Sequence, residues 1–237
     1  MKKSIGYRWG FYVAGLLILA LGIILNTKSG LGVSPIISVA YSTSTILNVN
    51  FGNMTFVLYT VFVVAEMLLH IFQNRRRLKE DDKALVSAVK KSLPLMLGMD
   101  FLQLPLSLVF TRFMNLFSAW IPAPSCGFGS QLLVLAAGII CTGIGAAMSL
   151  NMRIIPNPGD GIVQAIADCI HKPVGFTKNC FDLFNICITI SVGLIFARKL
   201  IGVGIGTVIA VLGVGRVIAL FNSLFMAKMT ALAEIDG

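Results

Sequence analysis

Charge is scarce in this sequence. Only 12% of the 237 residues are Asp, Glu, Lys or Arg, about half the share of an ordinary soluble domain. Acids are the scarcer sign, 10 against 19 Lys and Arg. Histidine occurs twice, and neither His70 nor His171 has a metal-type partner near it in sequence. The five cysteines (Cys126, Cys141, Cys169, Cys180 and Cys187) form no CxxC pair. No metal site or cofactor is expected from that pattern. HExxH and GxSxG are missing as well, so the chain is not expected to be an enzyme. The absence of strict apolar/polar alternation excludes a membrane β-barrel.

What is present is apolar. Hydrophobic residues make up 57% of the chain, and the mean hydropathy is +0.88. Six runs, 8–27, 53–73, 92–117, 130–150, 178–197 and 203–227, are long enough, or nearly so, to cross a hydrocarbon core of about 30 Å. The expected class is an all-α polytopic membrane protein embedded in a lipid bilayer. Two shorter segments, 34–48 and 158–171, suit re-entrant or interfacial helices better than crossings. The apolar run after Lys2-Lys3 has no clear small-residue cleavage site and reads as a retained span. The net charge of +9 fits basic loops on one side of a membrane rather than a nucleic-acid partner.

The chain nearly repeats itself 123 residues on. Ala14 falls on Ala137, Gly15 on Gly138, Gly22 on Gly145, Pro35 on Pro158 and Gly52 on Gly175. Four of these five identities are Gly or Pro, the residues that set backbone geometry. Each copy is an apolar helix, a break at Ser34-Pro35 or Asn157-Pro158, a short helix, and another apolar helix. Residues 1–120 and 121–237 are therefore expected to be two membrane repeats. With six spans and the N-terminus inside, fourteen Lys and Arg fall on the cytoplasmic side and four outside, in line with the positive-inside tendency. Both termini are then cytoplasmic. Three crossings per repeat make the second repeat inverted, an arrangement found in secondary transporters.

The breaks lead the candidate site. Ser34 and Asn157 are N-cap types placed before a proline at the first helical position. Free N–H groups and the positive helix end suit an anionic or electron-rich solute group. Asp160, in the first turn of the second short helix, either completes a cap or binds a ligand. Intramembrane charges come next, since such groups usually face a bundle interior. Lys178 and Asp182 are spaced for a local pair. Arg216, deep in the last span, would neutralise Asp100 or Asp182, or bind an anionic solute. Glu66, with His70 one turn on, is expected to snorkel toward the cytoplasmic surface. Gly15/Gly22 and Gly138/Gly145 put small residues on one face of each first helix. The glycine run 202–206 reads as a flexible lead-in to the last helix, with Thr207 near its N-terminus and available to solute.

Gly30-Leu31-Gly32-Val33-Ser34-Pro35, Pro158-Gly159-Asp160-Gly161 and Gly204-Ile205-Gly206-Thr207-Val208, in this order, resemble the YczE/YitT-type bacterial membrane proteins, duplicated multi-span proteins of poorly defined role. The resemblance runs from about residue 8 to 222 and implies a bacterial plasma membrane. That family's first motif usually continues Ser-Pro-Trp-Asp, whereas here it is Ser34-Pro35-Ile36-Ile37. Only the second copy keeps its acid, Asp160.

These features together predict a permease or secondary transporter for a small polar or charged solute. Ser34, Asn157, Asp160 and Thr207 would contact the solute; Lys178, Asp182 and Arg216 would supply charge. A non-transporting accessory subunit, sensor or stabiliser, working as a homo-oligomer or with a membrane partner subunit, is the alternative.

Overall fold

A computed structural model describes residues 2–77, 83–124 and 127–234, and their side chains except at 2–3, 77 and 83–92. Residues 78–82 of the basic loop 74–83, the side chains of Lys2, Lys3, Arg77, Lys83, Lys90 and Lys91, and Cys126 lie outside that range. The regular elements of the described residues are all helices. In order they form α1 (Lys2–Lys28), α2 (Pro35–Leu47), α3 (Phe51–Arg77), α4 (Lys83–Trp120), α5 (Phe128–Asn151), α6 (Pro158–Ile170), α7 (Val174–Val192), α8 (Ile205–Phe221) and α9 (Ala227–Leu232). Single π-helical turns, Gly193–Ala197 and Asn222–Met226, extend α7 and α8.

Six helical stretches are long and apolar enough to span a bilayer: Ser4–Lys28, Phe51–Arg76, Leu93–Trp120, Phe128–Asn151, Val174–Ala197 and Ile205–Leu232. Large apolar side chains such as Leu68, Phe101, Leu133, Ile195 and Phe196 stand exposed on the outer surface. An exposed apolar surface that extensive marks contact with a membrane or partner. The chain is a multi-pass membrane protein. The other two helices, α2 and α6, have 13 residues each, about 20 Å at 1.5 Å per residue, short of the hydrocarbon thickness.

The 123-residue offset recurs in the backbone. Adding it to the start of α2 gives the start of α6, and adding it to the start of α3 gives the start of α7. Both short helices end in a left-handed residue, Asn48 at φ 52° and His171 at φ 54°, a common helix stop. The next N–H closes back in each case, Val49 to the Ser44 carbonyl at 3.0 Å and Lys172 to the Ala167 carbonyl at 3.1 Å. Packing follows the same rule. Helix α2 lies on α7 as α6 lies on α3, and α1 lies on α4 as α5 lies on α8. One pairing breaks it: α3 packs closely on α4, while α7 and α8 barely touch.

The two halves interlock through α1 and α5. Gly15 meets Ser149, Leu19 meets Gly145, Gly22 meets Thr142 and Asn26 meets Gly138. Numbers rise along one helix as they fall along the other, so α1 and α5 run antiparallel. The glycines bring the backbones together, since a Cβ on any of them would overlap atoms of the facing helix. At the ends, Arg8 donates to the Met152 and Arg153 carbonyls at 2.9 Å, and the Tyr12 hydroxyl donates to the Ile155 carbonyl at 2.8 Å. The main apolar core runs through both halves, from Tyr12, Leu16 and Ile24 to Tyr59, Met114, Met152 and Ile162.

Candidate functional site

Each short helix begins at a proline, whose missing N–H has no helical partner in any case. At α6 the Asn157 side chain accepts the Gly159 N–H at 3.3 Å. At α2 the Ser34 hydroxyl makes no such bond. The two starts touch: the end of the Ile36 side chain lies 2.9 Å from where a Gly159 Cβ would be, and Ile36 and Gly159 are 123 residues apart. The break before α2 is tied to the lead-in of α8. Val33 N–H donates to the Gly202 carbonyl at 3.0 Å, and Gly206 N–H donates to the Leu31 carbonyl at 2.8 Å. The break before α6 is held by the Arg8 and Tyr12 bonds already described.

Beside this junction lies a cavity of about 670 Å³. Ser34 and Pro35 reach it from one break, and Asn157, Gly159 and Asp160 from the other. Lys178 and Asp182 line it from α7, Glu66 and His70 from α3. Six residues singled out from sequence, Ser34, Glu66, Asn157, Asp160, Lys178 and Asp182, thus share one space. Lys178 does not form its ion pair with Asp182. Its Nζ lies 3.9 Å from Asp160 Oδ1 across to α6, with both side chains partly exposed, so the pair is a loose one. Asp182 is buried and has no hydrogen bond or ion pair among the described residues.

Glu66 does not snorkel. It is 3% exposed, and Gln103 Nε2 donates to both of its oxygens at 3.1 and 3.0 Å. Its carboxylate presses on the first turns of α6, where a Cβ at Gly161 would stand 2.6 Å from Oε2. Only glycine admits that approach. Next to it, His70 Nδ1 and Asp100 Oδ2 are hydrogen-bonded at 2.8 Å. Asp100 is 4% exposed and stands behind His70, off the cavity wall. The positions 123 residues from Glu66 and Gly161 are Thr189 and Ser38, whose hydroxyls are 2.6 Å apart in the mirror contact. The acid belongs to one side of the repeat.

Two expected site residues lie elsewhere. Thr207 is 1% exposed and does not reach the cavity. Its Oγ1 accepts the Gly204 N–H at 3.2 Å and donates to the Gly202 carbonyl at 3.4 Å. It therefore caps α8 and stiffens a lead-in that the glycines alone would leave flexible. Thr207→Val should lower thermal stability by about 1 kcal/mol, the usual loss of a capping group. Thermal unfolding in detergent reads that loss, and ligand binding in the cavity should be unchanged. Arg216 is also off the cavity. It is exposed on the outer face of α8 and pairs with neither Asp100 nor Asp182.

His70 and Gln103 were not among the residues expected to form the site. Glu66 and His70 are four apart on α3, and Asp100 and Gln103 are three apart on α4, so each pair shares a helix face. Those spacings were legible. That the two faces meet depends on the α3–α4 packing, which has no counterpart in the second repeat.

No curated protein and no solved structure matches the chain. The YczE/YitT-type resemblance rests on its three motifs. The profile of a family of unknown function, DUF6198, matches residues 6–223. That stretch holds both breaks, every named cavity residue and nearly all of the six long helices, and the chain belongs to this family.

Proposed function

We propose that the protein is a permease or secondary transporter, and not an enzyme, for a small polar or charged solute bound between the N-terminal turns of α2 and α6. The observation that carries this reading is the cavity of about 670 Å³ bordered by both turns where they touch. That size suits a small organic molecule. Besides Glu66, which is held in its own buried cluster, two acids, Asp160 and Asp182, face one lysine on its wall, an excess that favours a solute bearing positive or donor groups. The antiparallel crossing of α1 with its own copy α5 supports two inverted repeats, and interlocked inverted repeats suit alternating access by rocking. Charge placement supports cytoplasmic termini, and the motif resemblance supports a bacterial plasma membrane.

A second reading has one observation in its favour. Arg216 lies mid-span on the exposed face of α8 with no partner among the described residues. A charge there is costly against lipid, and a membrane subunit or second copy covering α8 would remove that cost. The purified protein alone, reconstituted in liposomes, separates the two. Uptake of a solute that stabilises it in a thermal-shift screen supports transport. Absence of any such solute, with stable co-purification of another subunit, would leave the accessory role.

A further inference from the structure

We infer that Glu66, His70 and Asp100, completed by Gln103, bind one divalent transition-metal ion beside the α3 wall of the cavity. One ligand atom from each of the first three lies within 4.8 Å of the others. Bonds of about 2.0–2.2 Å to nitrogen and oxygen in a tetrahedral array place neighbouring ligand atoms about 3.3–3.6 Å apart. Side-chain rotation that draws the widest pair in by up to about 1.5 Å, and opens the 2.8 Å His70–Asp100 hydrogen bond to admit the ion, closes the site.

Burial and charge argue the same way. Glu66 and Asp100 are carboxylates inside membrane-spanning helices, no described Lys or Arg lies within ion-pairing distance of either, and His70, 2.8 Å from Asp100, can offset only one of the two charges. Buried charges are paired or coordinate metals. Two carboxylates and a neutral imidazole around a divalent cation sum to zero, the cheapest state in a low-dielectric interior. Gln103 supplies an independent sign. It is 1% exposed, its Nε2 is used by Glu66, and its Oε1 has no hydrogen-bond partner. A buried amide oxygen with no donor is a group that a water or an ion satisfies, and a half-turn of this amide puts Oε1 where Nε2 now faces Glu66.

The donor set selects the ion class. Imidazole with carboxylate suits zinc, iron, cobalt, nickel or manganese, whereas all-oxygen sets suit magnesium and calcium. Glu66 and His70 line the cavity, which gives an ion a way in. Among the described residues the site is single, and its mirror contact is the Ser38–Thr189 hydroxyl pair. The inference stands on this cluster and holds whether or not the cavity carries a solute.

Full-length protein in detergent, freed of metal with a chelator and dialysed against Zn²⁺ or Co²⁺, tests it. One equivalent should bind per chain. Glu66→Gln and His70→Ala should each weaken binding by about tenfold or more, since even outer-shell losses cost about that much. His171→Ala, which removes the other histidine, should keep full binding. Bound Co²⁺ should show visible absorption that His70→Ala removes. No stoichiometric binding by the unaltered protein would overturn the site, as would binding that survives both Glu66→Gln and His70→Ala. Displacement of Co²⁺ by equimolar Mg²⁺ would overturn the transition-metal assignment. Uptake in liposomes is read separately, so failure of one proposal leaves the other standing.

Discussion

Gly145→Leu should keep the protein from reaching a folded, detergent-stable state. A Cβ at this position falls on the backbone N and Cα of Leu19, and the Gly15 carbonyl lies 2.6 Å away. No rotamer change relieves a clash with backbone. Helix α1 would have to move away from α5 at the centre of their crossing, and the loss would spread. Leu19, Ile23, Thr142 and Ala146 of these helices wall the cavity, and the Arg8 and Tyr12 bonds at the ends require the same crossing. Overpacking a core typically costs about 1–3 kcal/mol, and a backbone-to-backbone obstruction belongs at or above the top of that range. Gly22→Leu meets the Thr142 backbone and should behave alike. Gly10→Leu, on an exposed turn of α1 with nothing within 4 Å, should be neutral or slightly stabilising, since glycine is the poorer helix former. Size-exclusion profiles and thermal unfolding in detergent read the three side by side. A monodisperse Gly145→Leu protein with unchanged unfolding temperature would contradict the close crossing.

That crossing also shows how far sequence reasoning reaches. The repeat was visible because Gly and Pro hold places that geometry demands. Gly15, Gly22, Gly138 and Gly145 sit where two backbones meet, and Pro35 and Pro158 start short helices of equal length. Six spans followed from run length alone, and their bounds moved by only a few residues at most ends. Partner choice between distant helices was not legible. Lys178 and Asp182 have the right spacing for a pair, yet α6 brings Asp160 to Lys178 instead. Arg216 reads as buried because it lies inside an apolar run, but a run says how deep a residue sits and not which way it faces. The hydrophobicity of α8 is nearly uniform around its axis, so no stripe marks an inner side. Glu66 reads as a surface acid from its place near a helix end. Gln103 on α4 and Gly161, 95 residues on, give it a buried place between other helices.

Asp182→Asn should abolish most solute binding while leaving the protein folded. The Asp182 carboxylate is buried on the cavity wall and has no hydrogen bond or ion pair from the described residues. Lys178, one turn earlier on α7, acts on it only at longer range, so its close hydrogen-bonding partners in function come from the cavity contents. Asparagine keeps its size and one acceptor and removes the charge. Hydrogen bonds to charged groups contribute about 1.5–3 kcal/mol, so affinity should fall by roughly ten- to a hundredfold. The folded state loses an unpaired buried charge, and its stability without solute should hold or rise. Asp160→Asn makes the contrast. Asp160 is partly exposed and shares Lys178 at 3.9 Å, so its charge is already partly compensated and its loss should weaken binding less. Thermal-shift titrations of a solute that stabilises the unaltered protein, paired with liposome uptake, rank the two variants. If Asp160→Asn proved the more damaging, the solute's charged group would face the α6 N-terminus rather than α7. If neither changed binding, the solute site would lie outside this cavity and the transport reading would fail with it.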